Sequence, residues 1–217
     1  MISFSTSDNL NIICTNYKVM YSSLYRENSL TQISNKTLFT EVLKQKIGLA
    51  RSKKFILLFR SPKKRLESFF KNKFRQYPTL SNGLEHSQKI FLPYFEQQNE
   101  YPDLASFFHN HPYEQFILNL PDTYALDNHL IPQSNALKVS LKKISLGLSI
   151  PYGKIYLIDN PDDLNQFQNL LNIKLQKTNT TAAVNETFIY TDEMESVVNT
   201  VYADDTKMYQ SLLEDRK

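Results

Sequence analysis

Lys18, Arg60 and His129 are the residues whose types and neighbours could do chemistry in this chain. Lys18 sits in a polar run just after a short apolar stretch, and the adjacent hydroxyls of Ser22 and Ser23 follow it. A lysine with two hydroxyls in a strand-to-helix turn can neutralise and hydrogen-bond an anion, with backbone N–H groups completing the cradle. The plain alternative is a solvated turn lysine, and the Gly-rich Walker pattern is absent. Arg60 ends an apolar run, and Ser61 and Pro62 after it supply a helix cap and a first helical position. On that helix Ser68 is flanked at helical spacing by Lys64, Arg65, Lys71, Asn72 and Arg75, so its hydroxyl is expected on a strongly basic face. Between positions 51 and 75 ten Lys or Arg face one acid, Glu67, which suggests a phosphate clamp or, more plainly, a solvated basic helix over a core. His129 lies in a polar run, where an imidazole can act as a general base near neutral pH or simply sit at the surface. His109 and His111 are two apart, a spacing that joins two rings on a strand but not on the broken helices expected there, so no metal pair is assigned.

The elements that must position these groups follow from periodicity. Apolar runs at 10–14, 55–59 and 154–158 read as strands, the second with the bulk of a strand buried on both faces. Residues 35–46 read as a helix carrying Leu38, Phe39, Val42 and Leu43 on one side, with Gly48 near its end. That helix is the crossover of a strand-helix-strand unit, and its right-handed turn brings Lys18 and Arg60 to one edge of a parallel sheet. Leu66, Phe69, Phe70 and Phe74 form the apolar stripe of the helix after Arg60. Residues 77–132 read as short aromatic helices at 88–97, 103–108 and 112–118, broken by prolines. After the third strand, Asn160, Pro161, Asp162 and Asp163 form a helix start, and these acids are assigned to the helix dipole. Residues 178–187 read as a loop, and 193–213 as one final helix with Met194, Val197, Val198, Val201, Met208 and Leu212.

The chain has 217 residues, a formal net charge of +3 and 41% hydrophobic residues, which suits a globular fold with a local anion site better than a general polyanion binder. A single cysteine, Cys14, excludes an internal disulfide and any multi-cysteine zinc site. No apolar run is long enough to span a membrane and the N-terminus lacks a signal pattern, so a soluble, cytoplasmic protein is expected. On that reading the sequons at Asn35, Asn179 and Asn185 are chance.

The order of these landmarks resembles the carbohydrate sulfotransferases of the Golgi type, the group of chondroitin and dermatan 4-O-sulfotransferases, and their bacterial relatives. The run Lys18-Val19-Met20-Tyr21-Ser22-Ser23-Leu24 is similar to that family's 5′-phosphosulfate loop, Pro-Lys-x-Gly-x-Ser-Ser. Arg60-Ser61-Pro62 with Arg65, Ser68 and Asn72-Lys73-Phe74 resembles its 3′-phosphate motif, Arg-x-Pro-x-x-Arg-x-x-Ser followed by an aromatic and Asn-Lys-Phe. Asp127, His129, Pro132 and Gln133 resemble an Asn/Asp-x-His-x-x-Pro-Gln segment on the acceptor side. The loop departs from the family at Tyr17, in place of proline, and at Met20, in place of glycine.

The resemblance implies an α/β, P-loop-like three-layer sulfotransferase fold over 1–217 as a single domain, with a central parallel sheet and a helix-rich acceptor-side region at about 77–150. It implies the cofactor 3′-phosphoadenosine-5′-phosphosulfate (PAPS, product PAP) and transfer of a sulfonyl group to a hydroxyl of a carbohydrate or other acceptor, without metal or nucleic acid. Lys18, Val19, Ser22, Ser23 and Leu24 would hold the 5′ side, and Arg60 and Ser68 the 3′-phosphate. Lys18 and His129 would be catalytic, with Glu41, His86 and Asp127 as other candidate bases. The competing readings are a P-loop kinase-like enzyme and a non-catalytic binder of nucleic acid or acidic polysaccharide.

Overall fold

The computed structural model describes residues 1–49, 53–75, 91, 93, 104–141, 144–175 and 186–216. The chain divides into two compact units, one of Met1–Ser61, Gln133–Asn179 and Lys207–Lys217, the other of Pro62–Pro132 and Thr180–Thr206.

The first unit is α/β. Its sheet is five-stranded in the order β3-β1-β2-β4-β7, with β1 Ile2–Thr6, β2 Asn11–Thr15, β3 Leu30–Ile33, β4 Lys54–Phe59 and β7 Tyr152–Leu157. The three strands expected from the sequence are β2, β4 and β7, and they pair in parallel. The sheet as a whole is mixed, which corrects the expected parallel sheet: β1 runs antiparallel to both β2 and β3. The physical reason is a tight turn after β1. Asn9 takes φ 59°, which asparagine tolerates, and its N–H donates to the Thr6 carbonyl at 2.8 Å, so the chain reverses at once into β2. A separate two-stranded antiparallel pair, β5 Lys138–Leu141 with β6 Ile144–Ser149, also escaped the sequence reading.

Alternation along the central strands covers both faces of the sheet. Ile12, Cys14, Phe55, Leu57, Phe59 and Leu157 pack with Leu38, Phe39 and Val42 of α2, Asn35–Lys46, and with Met208, Tyr209 and Leu212. Ile13, Ile56, Leu58 and Tyr156 pack on the other face with Leu24 of α1, Tyr21–Tyr25, and Phe167 of the helix Pro161–Leu171. The result is helix, sheet, helix. α2 ends as expected at Gly48, whose φ of 71° allows the Leu49 N–H to reach the Lys44 carbonyl at 2.9 Å. Leu43 is exposed and leaves the predicted stripe.

The second unit is helical and aromatic. α3, Pro62–Phe70, runs into a π-helical turn, Lys71–Arg75, and the helices Leu104–Asn110, Tyr113–Leu118, Leu120–Thr123 and Asp192–Val201 join it. Leu66, Phe69, Phe70 and Phe74 are all buried, as the stripe required, and Phe70 and Phe74 stack at 4.6 Å. Fully burying each such ring stabilises by roughly 2 to 3 kcal/mol. The expected single final helix is two, Asp192–Val201 and Ala203–Glu214, because Tyr202 leaves helical geometry at φ −116°. Its buried hydroxyl donates to the Leu130 carbonyl at 2.7 Å, which holds it at the break. Most of the predicted helix at 88–97, where positions 91 and 93 are helical, and most of the predicted loop at 178–187 lie outside the described residues, as do His86, Asn179 and Asn185.

Candidate functional site

In the first unit β2 and β4 pair in parallel, with Cys14 opposite Leu57, so their carboxyl ends open on one edge. Beyond β2 the chain turns tightly. The Val19 N–H donates to the Asn16 carbonyl at 3.1 Å, and the Thr15 hydroxyl donates to the Val19 carbonyl. Lys18 and Met20 both take left-handed backbone, at φ 63° and 59°. For residues with a Cβ that conformation costs about 1 kcal/mol or more each. Met20 occupies the place of the glycine in the resembling loop, so the turn keeps a glycine conformation without a glycine. Val19 and Leu24 bury their side chains in the core, and the amides of Ser23 and Leu24 donate to the Met20 carbonyl at 3.1 and 3.0 Å. Lys18, Ser22 and Ser23 remain half-buried.

Arg60 leaves the end of β4 half-buried, and four contacts fix it. Its Nε donates to Asp159 Oδ1 at 3.1 Å and its Nη1 to the Lys18 carbonyl at 3.2 Å. Its backbone N–H donates to Gln133 Oε1 at 3.0 Å, and its carbonyl accepts from Gln133 Nε2 at 2.7 Å. Nη2 has no partner among the described residues. Asp159 Oδ2 also accepts the Ser61 N–H at 2.8 Å. The sequence reading had left Asp159 out of the site, and a signal existed: it follows the third parallel strand and therefore emerges on the same edge as Arg60. Asn160 caps the next helix as expected, accepting from the N–H groups of Asp162 and Asp163. Asp163, by contrast, is buried, accepts from the Leu157 N–H at 2.6 Å and pairs with Arg216 at 2.8 Å, so it ties the sheet together as well as facing the dipole.

The second unit holds the other predicted residues. Ser68 is half-buried on α3, and the basic face expected around it is divided: Lys64 is exposed, Lys71, Asn72 and Arg75 are half-buried, and Arg65 is buried. Arg65 is 1% exposed; its Nη1 and Nη2 donate to the carbonyls of Ile131 and Leu130 at 2.8 and 3.2 Å, and it lies over the Tyr202 ring. Lys73 is buried, and burial lowers its pKa against the attraction of Asp127. Arg75 pairs with Glu186 at 2.9 Å and donates to the carbonyls of Phe108, His109 and His111. The correction is physical: an arginine on a helix spacing diagram looks solvated, yet here its guanidinium satisfies buried carbonyls at helix and loop ends.

His129 has a carboxylate behind its ring. Asp127 is fully buried, and its Oδ1 accepts the His129 backbone N–H at 2.7 Å and meets Nδ1 at 2.6 Å. A carboxylate only accepts, so Nδ1 carries the proton and Nε2 is the basic nitrogen. His129 is about a fifth exposed, beside the Phe69 ring. Of the other candidate bases, Asp127 is enclosed and orients the imidazole. Glu41 is held by Lys44 and Lys53 at 3.0 and 3.1 Å. Among the described residues no group of three or more His, Cys, Asp or Glu could hold a metal ion, and no helix is long and apolar enough to cross a membrane.

At the edge of the first unit the Arg60 guanidinium meets the main-chain carbonyl of Lys18, so the segments that carry Lys18, Ser22 and Ser23 and that carry Arg60 leave two adjacent strand ends. No family model, no curated protein and no solved structure matches this chain.

Proposed function

We propose that the chain is a sulfotransferase that takes a sulfonyl group from 3′-phosphoadenosine-5′-phosphosulfate to a hydroxyl of a carbohydrate acceptor. The observation that carries this reading is the hydrogen bond from Arg60 Nη1 to the Lys18 main-chain carbonyl at 3.2 Å, which ties together the segments that carry the two cations after parallel strands. The fold supports it at the coarser level, as an α/β unit with a helix-covered mixed sheet. When bound, the cofactor supplies an activated sulfonyl group on a phosphate leaving group. Lys18, Ser22 and Ser23 would hold its 5′ side, where a cation and hydroxyls offset the charge of a leaving phosphate, and Arg60 would hold a phosphate through its guanidinium. His129, in the second unit, remains the base of this reading through the resemblance alone; within its own unit Asp127 holds Nδ1–H and leaves Nε2 as the basic nitrogen. Ser68 remains assigned to the 3′-phosphate through the resemblance alone. A polyanion-binding alternative rests on the other basic residues of 51–75, since Arg65 and Lys73 are buried and Arg75 pairs with Glu186.

The test is calorimetric titration with adenosine 3′,5′-bisphosphate, with adenosine 5′-monophosphate as control and Arg60→Ala as the variant. Micromolar binding that requires both the 3′-phosphate and Arg60 is the expected result. A folded protein that binds neither nucleotide overturns the proposal.

A further inference from the structure

Gln133 lies at the start of the 3-10 turn Gln133–Leu137 and is 1% exposed. The resemblance put it on the acceptor side with His129, but it belongs to the first unit. Its side-chain amide pairs with both peptide groups of Arg60, accepting at 3.0 Å and donating at 2.7 Å, as a neighbouring strand would just past the end of β4. Its own carbonyl accepts from Asn16 Nδ2 at 3.3 Å, and Asn16 is a buried residue of the turn that carries Lys18. One buried residue therefore ties the chain after β2 to the chain after β4. These are the segments that deliver the ammonium and the guanidinium.

We propose that Gln133 is the positioning residue of this edge: it fixes Arg60 and the Lys18 turn in one geometry and so sets the affinity for a phosphate-type anion. The inference rests on the anion cradle of the preceding subsection for its ligand, but not for its geometry. A primary amide is the side chain suited to the task, because it accepts from one peptide group while donating to the next. A leucine of similar size does neither. A glutamate accepts in either protonation state but donates only when protonated.

The experiment uses the full chain labelled with ¹⁵N-arginine, as wild type, Gln133→Leu and Gln133→Glu, titrated with adenosine 3′,5′-bisphosphate from pH 5 to 8. Gln133→Leu is expected to bind about tenfold more weakly at every pH, the size of one or two lost hydrogen bonds. Gln133→Glu is expected to bind weakly at pH 8 and to recover towards wild type as its carboxyl gains a proton. Charge repulsion alone would give the second result without the first. In unliganded Gln133→Leu, where neither peptide group of Arg60 keeps its partner, the Arg60 amide is expected to lose hydrogen-exchange protection and its Nε signal to shift. Gln133→Leu binding as wild type does, or an Arg60 amide and Nε unchanged in Gln133→Leu, overturns the proposal. If the wild type binds no nucleotide, the cradle reading fails and the Arg60 signals alone still decide the positioning role.

Discussion

Arg60 and Arg65 stand in the same basic run, and their surroundings differ in kind. Arg60 is half-buried, has a carboxylate on Nε and a carbonyl on Nη1, and keeps Nη2 without a partner among the described residues. Arg65 is buried, and both of its terminal nitrogens satisfy main-chain carbonyls. The first can meet a ligand; the second completes a fold. Charge density along the sequence, which groups the two, therefore measures neither role. What separates them is the element each leaves: Arg60 ends a strand at a sheet edge, while Arg65 sits one helical turn into α3 and faces the loop that carries Leu130 and Ile131.

Substitution should break the comparison most strongly at Arg65. Arg65→Ala takes the Ile131 carbonyl's donor, leaves the Leu130 carbonyl with Tyr202 alone and empties the buried volume of the side chain, and urea unfolding should show a loss of about 3 kcal/mol. Arg65→Lys should recover only part, because one ammonium lacks the reach of the guanidinium fork. A loss below about 1 kcal/mol would place Arg65 with the surface cations instead. Arg60→Ala should do the reverse, changing stability by about 1 kcal/mol or less while weakening adenosine 3′,5′-bisphosphate binding about a hundredfold.

Acid should also separate the two units. His111 is buried among Phe74 and Phe107, with Nδ1 unpartnered among the described residues. Burial, with a smaller push from Arg75, lowers its pKa from 6.5 to about 4. Between those values the unfolded chain binds a proton that the folded chain does not, so stability is full above pH 6.5 and falls as pH drops towards 4. The loss should be on the order of 2 kcal/mol. Denaturant melts at pH 7 and pH 5, with tryptic susceptibility to locate the opening, check it, and His111→Phe should flatten the profile. An unchanged pH profile in His111→Phe would assign the acid loss to other groups.

Much of the first unit was legible because its signals are local. The 55–59 run, the apolar side of 35–46 with the Gly48 stop, and the Asn160-Pro161 start each depend on residues within one element. β1 was not legible: in Ile2–Thr6 even Ser3 and Ser5 are buried, with the Ser3 hydroxyl against Cys14 Sγ, so the strand lacks a clean polar face. The break at Tyr202 was hidden for a similar reason, since its cause is a hydrogen bond to Leu130, far away in sequence. Lys18 and Arg60 were readable as an edge pair from strand order alone, whereas the hold of Asp159 and Gln133 on Arg60 depends on which strands became neighbours.

Met20 offers the finest distinction between the two arginine environments, because it tests how rigid the turn beside Arg60 is. Its φ of 59° lies where only glycine is unstrained, and it forms the cap of α1. Met20→Ala and Met20→Gly lose the same packing beyond Cβ, so their difference isolates the backbone. If the turn holds its left-handed geometry, Met20→Gly should be more stable than Met20→Ala by about 1 kcal/mol in urea unfolding. If instead the turn relaxes in the alanine variant, the two should unfold alike and the Arg60 Nη1 contact with the Lys18 carbonyl should be lost. On the proposed reading, a rigid turn would keep the Lys18 segment and Arg60 in place before an anion arrives, and binding would not have to order them.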